Sequence, residues 1–247
     1  MLFLIVPCFN EDSRLNLAYW AEIFEKNPTT FFVFVDDGST DSTRAKINDI
    51  AYTNVLKLNL DNNLGKANAV RFGMWFVVHK YNPDSVGFLD ADGAFHVDDI
   101  TAIIKKSQKL FSNGHYKSIL SSRVSLQGRI ILRKKTRHYI SRVLLTYICQ
   151  GWKIAPYDSQ SGFKIFHCDD NFVKSIESNF KTRWFFDIEI LTRLSKYGSI
   201  THWEEPLNYW KDMPNSKISF KQSLKLIREI FIVKAIVRNS IEKSDLL

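Results

Sequence analysis

Four times in the first ninety or so residues a short apolar run is cut off by a polar or glycine-containing loop, and a helical pattern then begins. Leu2 to Val6 stops at Pro7 and leads through Cys8-Phe9-Asn10-Glu11-Asp12-Ser13 into an amphipathic stretch. Its apolar face is Leu15, Leu17, Ala18, Trp20, Ala21, Ile23 and Phe24, with Asp12 or Ser13 as the expected cap. Phe31 to Val35 ends in Asp36-Asp37-Gly38-Ser39-Thr40-Asp41-Ser42. Val55 to Leu58 closes at Asp61-Asn62-Asn63-Leu64-Gly65-Lys66 before a helical pattern from Ala67 to His79, and Val86 to Leu89 ends at Asp90-Ala91-Asp92-Gly93. Strand-then-helix units of roughly 25–30 residues predict an α/β fold, a doubly wound and mostly parallel sheet flanked by helices. Such a sheet aligns its strand carboxyl ends along one edge, where ligands bind. Glu11, Asp37, Asp90 and Asp92 are therefore expected to converge there.

Each of these carboxylates also has an ordinary reading as a helix cap or turn former, and Asp-x-Asp-Gly alone serves equally well as a solvated turn. Read as a site, the pair has a definite chemistry. Hard divalent cations take oxygen ligands, and magnesium accepts one or two carboxylates together with substrate phosphates. Asp90 and Asp92 are accordingly candidate ligands of a metal that holds a diphosphate.

Further along, Ile103 to Phe111 continues as helix and Ser118 to Ser122 reads as a fifth strand, ending at Ser121-Ser122-Arg123. The window Gly128 to Arg142 holds six basic residues, Arg129, Arg133, Lys134, Lys135, Arg137 and Arg142, beside an apolar and aromatic run from Tyr139 to Trp152. That combination is either a solvated helix face or a membrane-facing one. Tyr157 to Lys164 is a polar loop entering a short strand, Phe163 to Phe166, and Asp187 and Glu189 open a helix that runs to Lys196, where they complement its dipole. Ile200 to Trp210 reads extended and Lys211 to Lys217 reads as a loop. Ile218 to Ile241 is amphipathic, with Lys221, Lys225, Arg228, Lys234 and Arg238 opposite Leu224, Ile227, Ile230, Phe231, Val233 and Ile236. It either packs on the domain or lies in a bilayer interface.

Composition narrows the class. With 247 residues and 45% hydrophobic content, the chain suits one large domain or two small ones. Three cysteines without a C-x-x-C pair argue against a disulfide framework or zinc cage and favour a reducing compartment. The opening Met-Leu-Phe-Leu-Ile-Val-Pro reads as a strand and not a signal peptide, and no run of 18 apolar residues occurs. Residues 1–100 carry 8 Lys and Arg against 14 Asp and Glu, a net of −6, whereas residues 101–247 carry 26 against 12, a net of +14. The basic part suits phosphates or anionic lipid, and no nucleic-acid-binding motif accompanies it.

Eight motifs in order, V-P-C-F-N-E (Val6–Glu11), V-D-D-G-S-T-D (Val35–Asp41), N-L-G-K-A-N-A-V (Asn63–Val70), D-A-D-G-A (Asp90–Ala94), S-S-R (Ser121–Arg123), D-S-Q-S-G-F-K-I-F (Asp158–Phe166), W-F-F-D-I-E-I-L (Trp184–Leu191) and N-S-K (Asn215–Lys217), carry a resemblance over nearly the whole chain. The sequence resembles glycosyltransferase family 2, with its GT-A fold, and within it the dolichyl-phosphate β-glucosyltransferases and their bacterial relatives, beside the polyprenyl-phosphate mannose synthases. The resemblance implies that Pro7, Phe9, Glu11 and Asp37 hold the base and ribose of a nucleotide sugar. It implies that Asp90 and Asp92 bind Mg²⁺ or Mn²⁺ on the diphosphate, with Lys66 on the same donor side. Lys217 and Lys211 would reach the phosphates, and Arg123 with Arg133 or Arg137 would meet an anionic acceptor. Ala94 cannot ligate metal where the mannose synthases place an amide, which points to the glucosyltransferase branch.

The implied reaction is an inverting, metal-dependent transfer of a hexose from a UDP-glucose-like donor. The acceptor would be a polyprenyl phosphate or another membrane-linked molecule, in glycolipid or surface-polysaccharide synthesis of the cell envelope. The enzyme would be peripheral on the cytoplasmic, inner face of a membrane, although the lipid-phosphate members commonly carry a flanking membrane helix. A lipid phosphate is already an anionic nucleophile, whereas a saccharide hydroxyl requires a general base. Asp187 is the first candidate for that base and Asp158 the second. The alternatives are a transferase to a saccharide hydroxyl and a catalytically silent nucleotide-sugar-binding module; a nucleotidyltransferase would need a glycine-rich, arginine-containing amino-terminal loop. The implied organisation is a GT-A domain over 1–217, with a donor half (1–122) and an acceptor half (123–217), then a C-terminal amphipathic helix and tail (218–247).

Overall fold

In strand β1 (Leu2–Cys8), Leu2, Leu4 and Val6 enter one apolar layer while Phe3 and Ile5 enter another, and all five are buried. A strand covered on both faces belongs to the middle of a doubly wound sheet. The computed structural model describes residues 1–197, 201–211 and 220–244, apart from the side chains of residues 135, 137, 220–225 and 242–244. After β1 follow α1 (Leu17–Lys26), β2 (Thr30–Asp37), α2 (Thr43–Asn48), β3 (Val55–Leu60), α3 (Lys66–Tyr81), β4 (Ser85–Leu89), α4 (Val97–Ser112) and β5 (Ser118–Ser122). Then come β6 (Ile130–Leu132), α5 (Lys135–Ile148), β7 (Phe163–His167), α6 (Asp170–Ile176), α7 (Phe186–Ser195), β8 (His202–Pro206), β9 (Tyr209–Lys211) and α8 (Phe220–Ser244).

Seven strands form one sheet in the order β3-β2-β1-β4-β7-β5-β8, parallel except for β7, which runs antiparallel to both neighbours. That reversal has a consequence for the site. The residues that lead into β7 lie at the same edge as the carboxyl ends of the other strands, so the Asp158–Gly162 loop joins the convergence. One face is covered by α3 (Val70, Met74, Val77), α7 (Ile188, Leu191), α5 (Leu145, Ile148) and α8 (Val233, Val237). The other is covered by α1 (Trp20, Ile23, Phe24), Ile47 of α2 and α4 (Ile100, Ile103, Ile104).

Local differences from the sequence reading have physical causes. The cap of α1 is Asn16, whose Oδ1 accepts from Ala18 N (3.0 Å) and Tyr19 N (3.2 Å), and neither Asp12 nor Ser13 fills that place. The Glu11 carbonyl first closes a turn with Arg14 N and Leu15 N, and Asp12 pairs with Lys46 instead. Strands β6 and β9 form a separate parallel ribbon, three residues each, too short to leave an alternating pattern. Helix α5 begins at Lys135, so part of the basic run is helical. Helix α8 packs on the domain through Val233 and Val237, while Ile227 and Phe231 on its other side are exposed.

Candidate active site

The carboxyl end of β4 delivers Asp90 beside Gly162, and the backbone joins them, Asp90 N donating to Gly162 O at 2.9 Å. A Cβ at Gly162 would lie 2.2 Å from Asp90 Oδ2, so only glycine lets this loop close against the carboxylate. The same loop is stitched to the end of β5, where Ser121 Oγ meets Ser161 Oγ at 2.6 Å and donates to Phe163 O at 2.8 Å. Three of the sequence motifs thus form one continuous wall.

Beside β1 and β4, Lys66 at the start of α3 places its Nζ 2.6 Å from Asp90 Oδ1. Asp92 is held by Ala94 N, which donates to its Oδ1 at 3.2 Å. Burial and the adjacent Asp90 raise the Asp92 carboxyl above the ordinary carboxylate range. Glu11, just beyond β1, takes Arg14 Nη2 on Oε1, whereas its Oε2 is buried without a hydrogen-bond partner. Burial pushes Glu11 up to about 7; Arg14 opposes the rise and the charges of Asp92 and Asp90 add to it. Phe9 remains exposed at the tip of β1, and Pro7 lies within the strand opposite Val35. Asp37 is buried, and its two oxygens accept from Leu64 N (2.7 Å) and Gly65 N (2.8 Å). In this structure Asp37 therefore clamps the N-L-G-K turn. Gly65 adopts φ +81°, a left-handed backbone that requires glycine, and the Arg183 guanidinium lies over the position its Cβ would take.

The stretch beside β5 and β7 has a different character. Arg123 and Asp158 form a buried bidentate pair, Nε to Oδ2 and Nη2 to Oδ1 both at 2.7 Å, with Arg123 N adding a third bond at 3.0 Å. Burial alone raises the Asp158 carboxyl, but Arg123 outweighs it and holds the group well below its ordinary value. The Arg123 guanidinium also lies 5.2 Å from the centre of the Trp210 ring. Glu204 of β8 fixes the loop by accepting from Tyr157 N (2.6 Å) and Asp158 N (3.1 Å). Beneath the loop, Lys164 is wholly buried on β7; its Nζ donates to Ser161 O and to Asp187 Oδ1, each at 2.5 Å. Burial pushes the Asp187 carboxyl up and the Lys164 ammonium down. Glu189 is a structural acceptor for Lys181 N, Thr182 N and Arg193.

Of the four carboxylates expected to converge, Glu11, Asp90 and Asp92 act on one another, whereas Asp37 is tied into the N-L-G-K turn. Asp158 and Arg123 spend their charges on each other, and Asp187 spends its own on Lys164. Arg133 donates to Ser141 Oγ at 3.3 Å in a cleft shared with Arg142, Tyr157 and Asp158, and Lys211 is exposed at the end of β9. Lys217, Asn215 and the side chain of Arg137 lie outside the described residues. Arg14, Lys164, Arg183 and Glu204 went unassigned from the sequence. Lys164 alone left a signal, a lysine between Phe163 and Ile165 in a strand buried on both faces.

A divalent cation fits this donor set in one respect and is limited in another. Among the described residues, three carboxylates face Arg14 and Lys66, with one Glu11 oxygen unsatisfied and two pKa values raised, a cluster short of positive charge. Among the described residues no group of three or more His, Cys, Asp or Glu is arranged to hold an ion by itself. Asp90 and Asp92 would therefore supply part of the coordination, and diphosphate oxygens and water the rest.

Residues 3–152 match the family model described as glycosyl transferase family 2. The chain belongs to that family. It is 30% identical over 240 residues to the dolichyl-phosphate beta-glucosyltransferase ALG5A of Trichomonas vaginalis, covering 93% of this chain and 71% of that protein. It is 27% identical over 256 residues to the dolichyl-phosphate beta-glucosyltransferase of Saccharomyces cerevisiae, covering 94% and 74%. Among solved structures, the glucosyl-3-phosphoglycerate synthase of Mycobacterium tuberculosis with Mn²⁺ and UDP-glucose superposes with a TM-score of 0.63 at 14% identity, covering 95% of this chain and 79% of that one. TarS of Staphylococcus aureus with UDP-GlcNAc gives 0.57 at 15%, covering 94% and 66%. This glycosyltransferase therefore has the GT-A fold that its strand order describes.

Proposed function

We propose that this enzyme transfers glucose from UDP-glucose to a polyprenyl phosphate, with inversion at the anomeric carbon and with Mg²⁺ or Mn²⁺ bound at Asp90 and Asp92. The relatives named for dolichyl-phosphate glucosylation support the substrate pair, and one observation in the chain carries the choice of acceptor. Both carboxylates expected to serve as base for a hydroxyl acceptor are committed, Asp158 to Arg123 through both oxygens and Asp187 to buried Lys164. An acceptor that arrives as an anion needs no base, only cations to position it, and the cleft bearing Arg133 and Arg142 offers them.

On this reading residues 1–122 form the donor half and residues 123–217 the acceptor half, with the boundary to the terminal helix outside the described residues. The exposed ring of Phe9 offers a face to the base, and the free oxygen of Glu11 faces the ribose. Lys66 exchanges its hold on Asp90 for the diphosphate. Asp90 and Asp92 would hold the metal, which would supply positive charge against the leaving diphosphate. Lys211 and, outside the described residues, Lys217 are the expected further phosphate contacts, and Arg123 acts by fixing Asp158 and the loop. Among the described residues no helix is long and apolar enough to cross a membrane. On this reading the enzyme meets its lipid acceptor peripherally, on the cytoplasmic face.

The test is a donor and acceptor matrix: UDP-glucose, UDP-GlcNAc and GDP-mannose against a polyprenyl phosphate and a panel of saccharides, with and without Mn²⁺. The expected product is a β-glucosyl phosphoryl polyprenol formed only with metal. Transfer confined to saccharide hydroxyls would replace the acceptor reading.

A further inference from the structure

Asp99 and Asp158 are consecutive acidic residues: none of the 58 residues between them is Asp or Glu, and twelve are Lys or Arg. Half of the exposed large apolar side chains among the described residues fall inside the last 32 positions of this span. On α5 they are Tyr139 (66% exposed), Ile140 (61%), Val143 (70%) and Tyr147 (43%), spaced to share one helix face. The opposite face, with Leu145 and Ile148, is buried in the core that α8 also enters through Val233 and Val237. Ile130 and Leu132 of β6 are exposed as well. Lys234 of α8 sits 3.3 Å from the centre of the Tyr147 ring, one turn from exposed Phe231, which carries the apolar surface across the α5–α8 seam.

A soluble surface rarely groups bulky aliphatic side chains and cationic charge with no acid between them. We propose that this face docks on an anionic lipid bilayer, with α5 in the interface and the Tyr139–Val143 side entering the headgroup boundary. Basic residues of the same segment, Arg129, Lys134 and Lys153 among them, meet the anionic lipid. A second copy of the chain is the disfavoured occupant, because two such faces would set like charges against each other. A nucleic acid is disfavoured because Ile140 and Val143 offer bases neither stacking nor hydrogen bonds.

The placement also deepens the reading of a lipid-linked acceptor, on which its usefulness to the enzyme rests. Arg142 of α5 donates to Tyr157 O and stacks on the Tyr157 ring at 4.0 Å, next to Asp158. The docking face therefore ends where the acceptor cleft begins.

Co-sedimentation of the full chain with vesicles tests this apart from turnover. Phosphatidylcholine vesicles with about a third phosphatidylserine should bind about tenfold more strongly than phosphatidylcholine alone, and binding should weaken with added salt. The double variant Ile140→Asp, Val143→Asp should lose about tenfold or more of that binding. Its circular dichroism, melting temperature and turnover of a water-soluble short-chain polyprenyl phosphate should not change. No binding by the unmodified chain overturns the proposal, as does equal binding by the variant. Concentration-dependent self-association in ultracentrifugation that the same variant abolishes overturns it in favour of a second copy. Vesicle binding by a chain that glycosylates only saccharides supports the docking face and removes the lipid-phosphate acceptor alone.

Discussion

Two stretches of one strand edge treat their carboxylates in opposite ways. Beside β5 and β7, Asp158 receives three N–H bonds from Arg123 and is held well below its ordinary pKa. Beside β1 and β4, Glu11 and Asp92 are raised by burial and by their acidic neighbours, and one Glu11 oxygen has no partner. The first set is completed by the chain itself and acts as framework. Among the described residues the second has Arg14 and Lys66 against three carboxylates, the imbalance that the proposed cation would offset.

The largest effect that separates the two sets is on turnover. Asp92→Asn removes charge from the crowded set, so metal-dependent glucosyl transfer should fall about 10³-fold or more while the melting temperature holds or rises. Steady-state kinetics with Mn²⁺ titration and a thermal melt check both halves. A variant that kept normal turnover would end the metal assignment. Next in size is Asp158→Asn, which leaves Arg123 buried against half a partner. It should cost about 3 kcal/mol of stability by urea unfolding, since breaking a buried pair strands the surviving charge. If Asp158→Asn were silent in stability yet inactive, Asp158 would belong with the reacting groups and the division would fail.

The sheet was legible because its strands are central: β1, β2 and β4 are buried on both faces, so each reads as an unbroken apolar run. Of the four-carboxylate convergence expected from that topology, Glu11, Asp90 and Asp92 needed no tertiary information, whereas the part of Asp37 in the N-L-G-K turn was not foreseen. What the sequence hid was pairing across distance. Nothing near Asp158 announces Arg123, 35 residues earlier, and nothing near Asp187 announces Lys164, so two framework carboxylates looked like candidate bases. The reversal of β7 was hidden for a related reason: five residues, four of them buried, carry no mark of direction. Gly162 and Gly65 are plain turn glycines in the sequence; the close approach of Asp90 explains the first and a left-handed backbone the second. The ribbon of β6 and β9 was too short to leave a period, and the Lys217 expectation falls outside the described residues.

The smallest effect is the sharpest in sign. Glu11 has an ordinary pKa of 4.5 and is pushed up to about 7 in the folded chain. Between those values the folded chain holds a proton that the unfolded chain has lost. The contribution of Glu11 to stability is therefore whole below about 4.5 and disappears as pH rises through 7. Asp158 runs the other way: its contribution is present above its ordinary value of 3.8 and is lost only as pH falls through its depressed folded value. Glu11→Gln keeps the side chain and fixes it neutral. Without metal, the stability of the unmodified chain relative to this variant should fall by about 1 kcal/mol from pH 5 to pH 8, a figure discounted because water reaches part of the group. Asp158→Asn measured in parallel should show a constant gap over that window, narrowing only in acid. A flat Glu11→Gln profile would mean that the acidic set is not crowded after all, and the two stretches of the edge would then differ in hydrogen bonding alone.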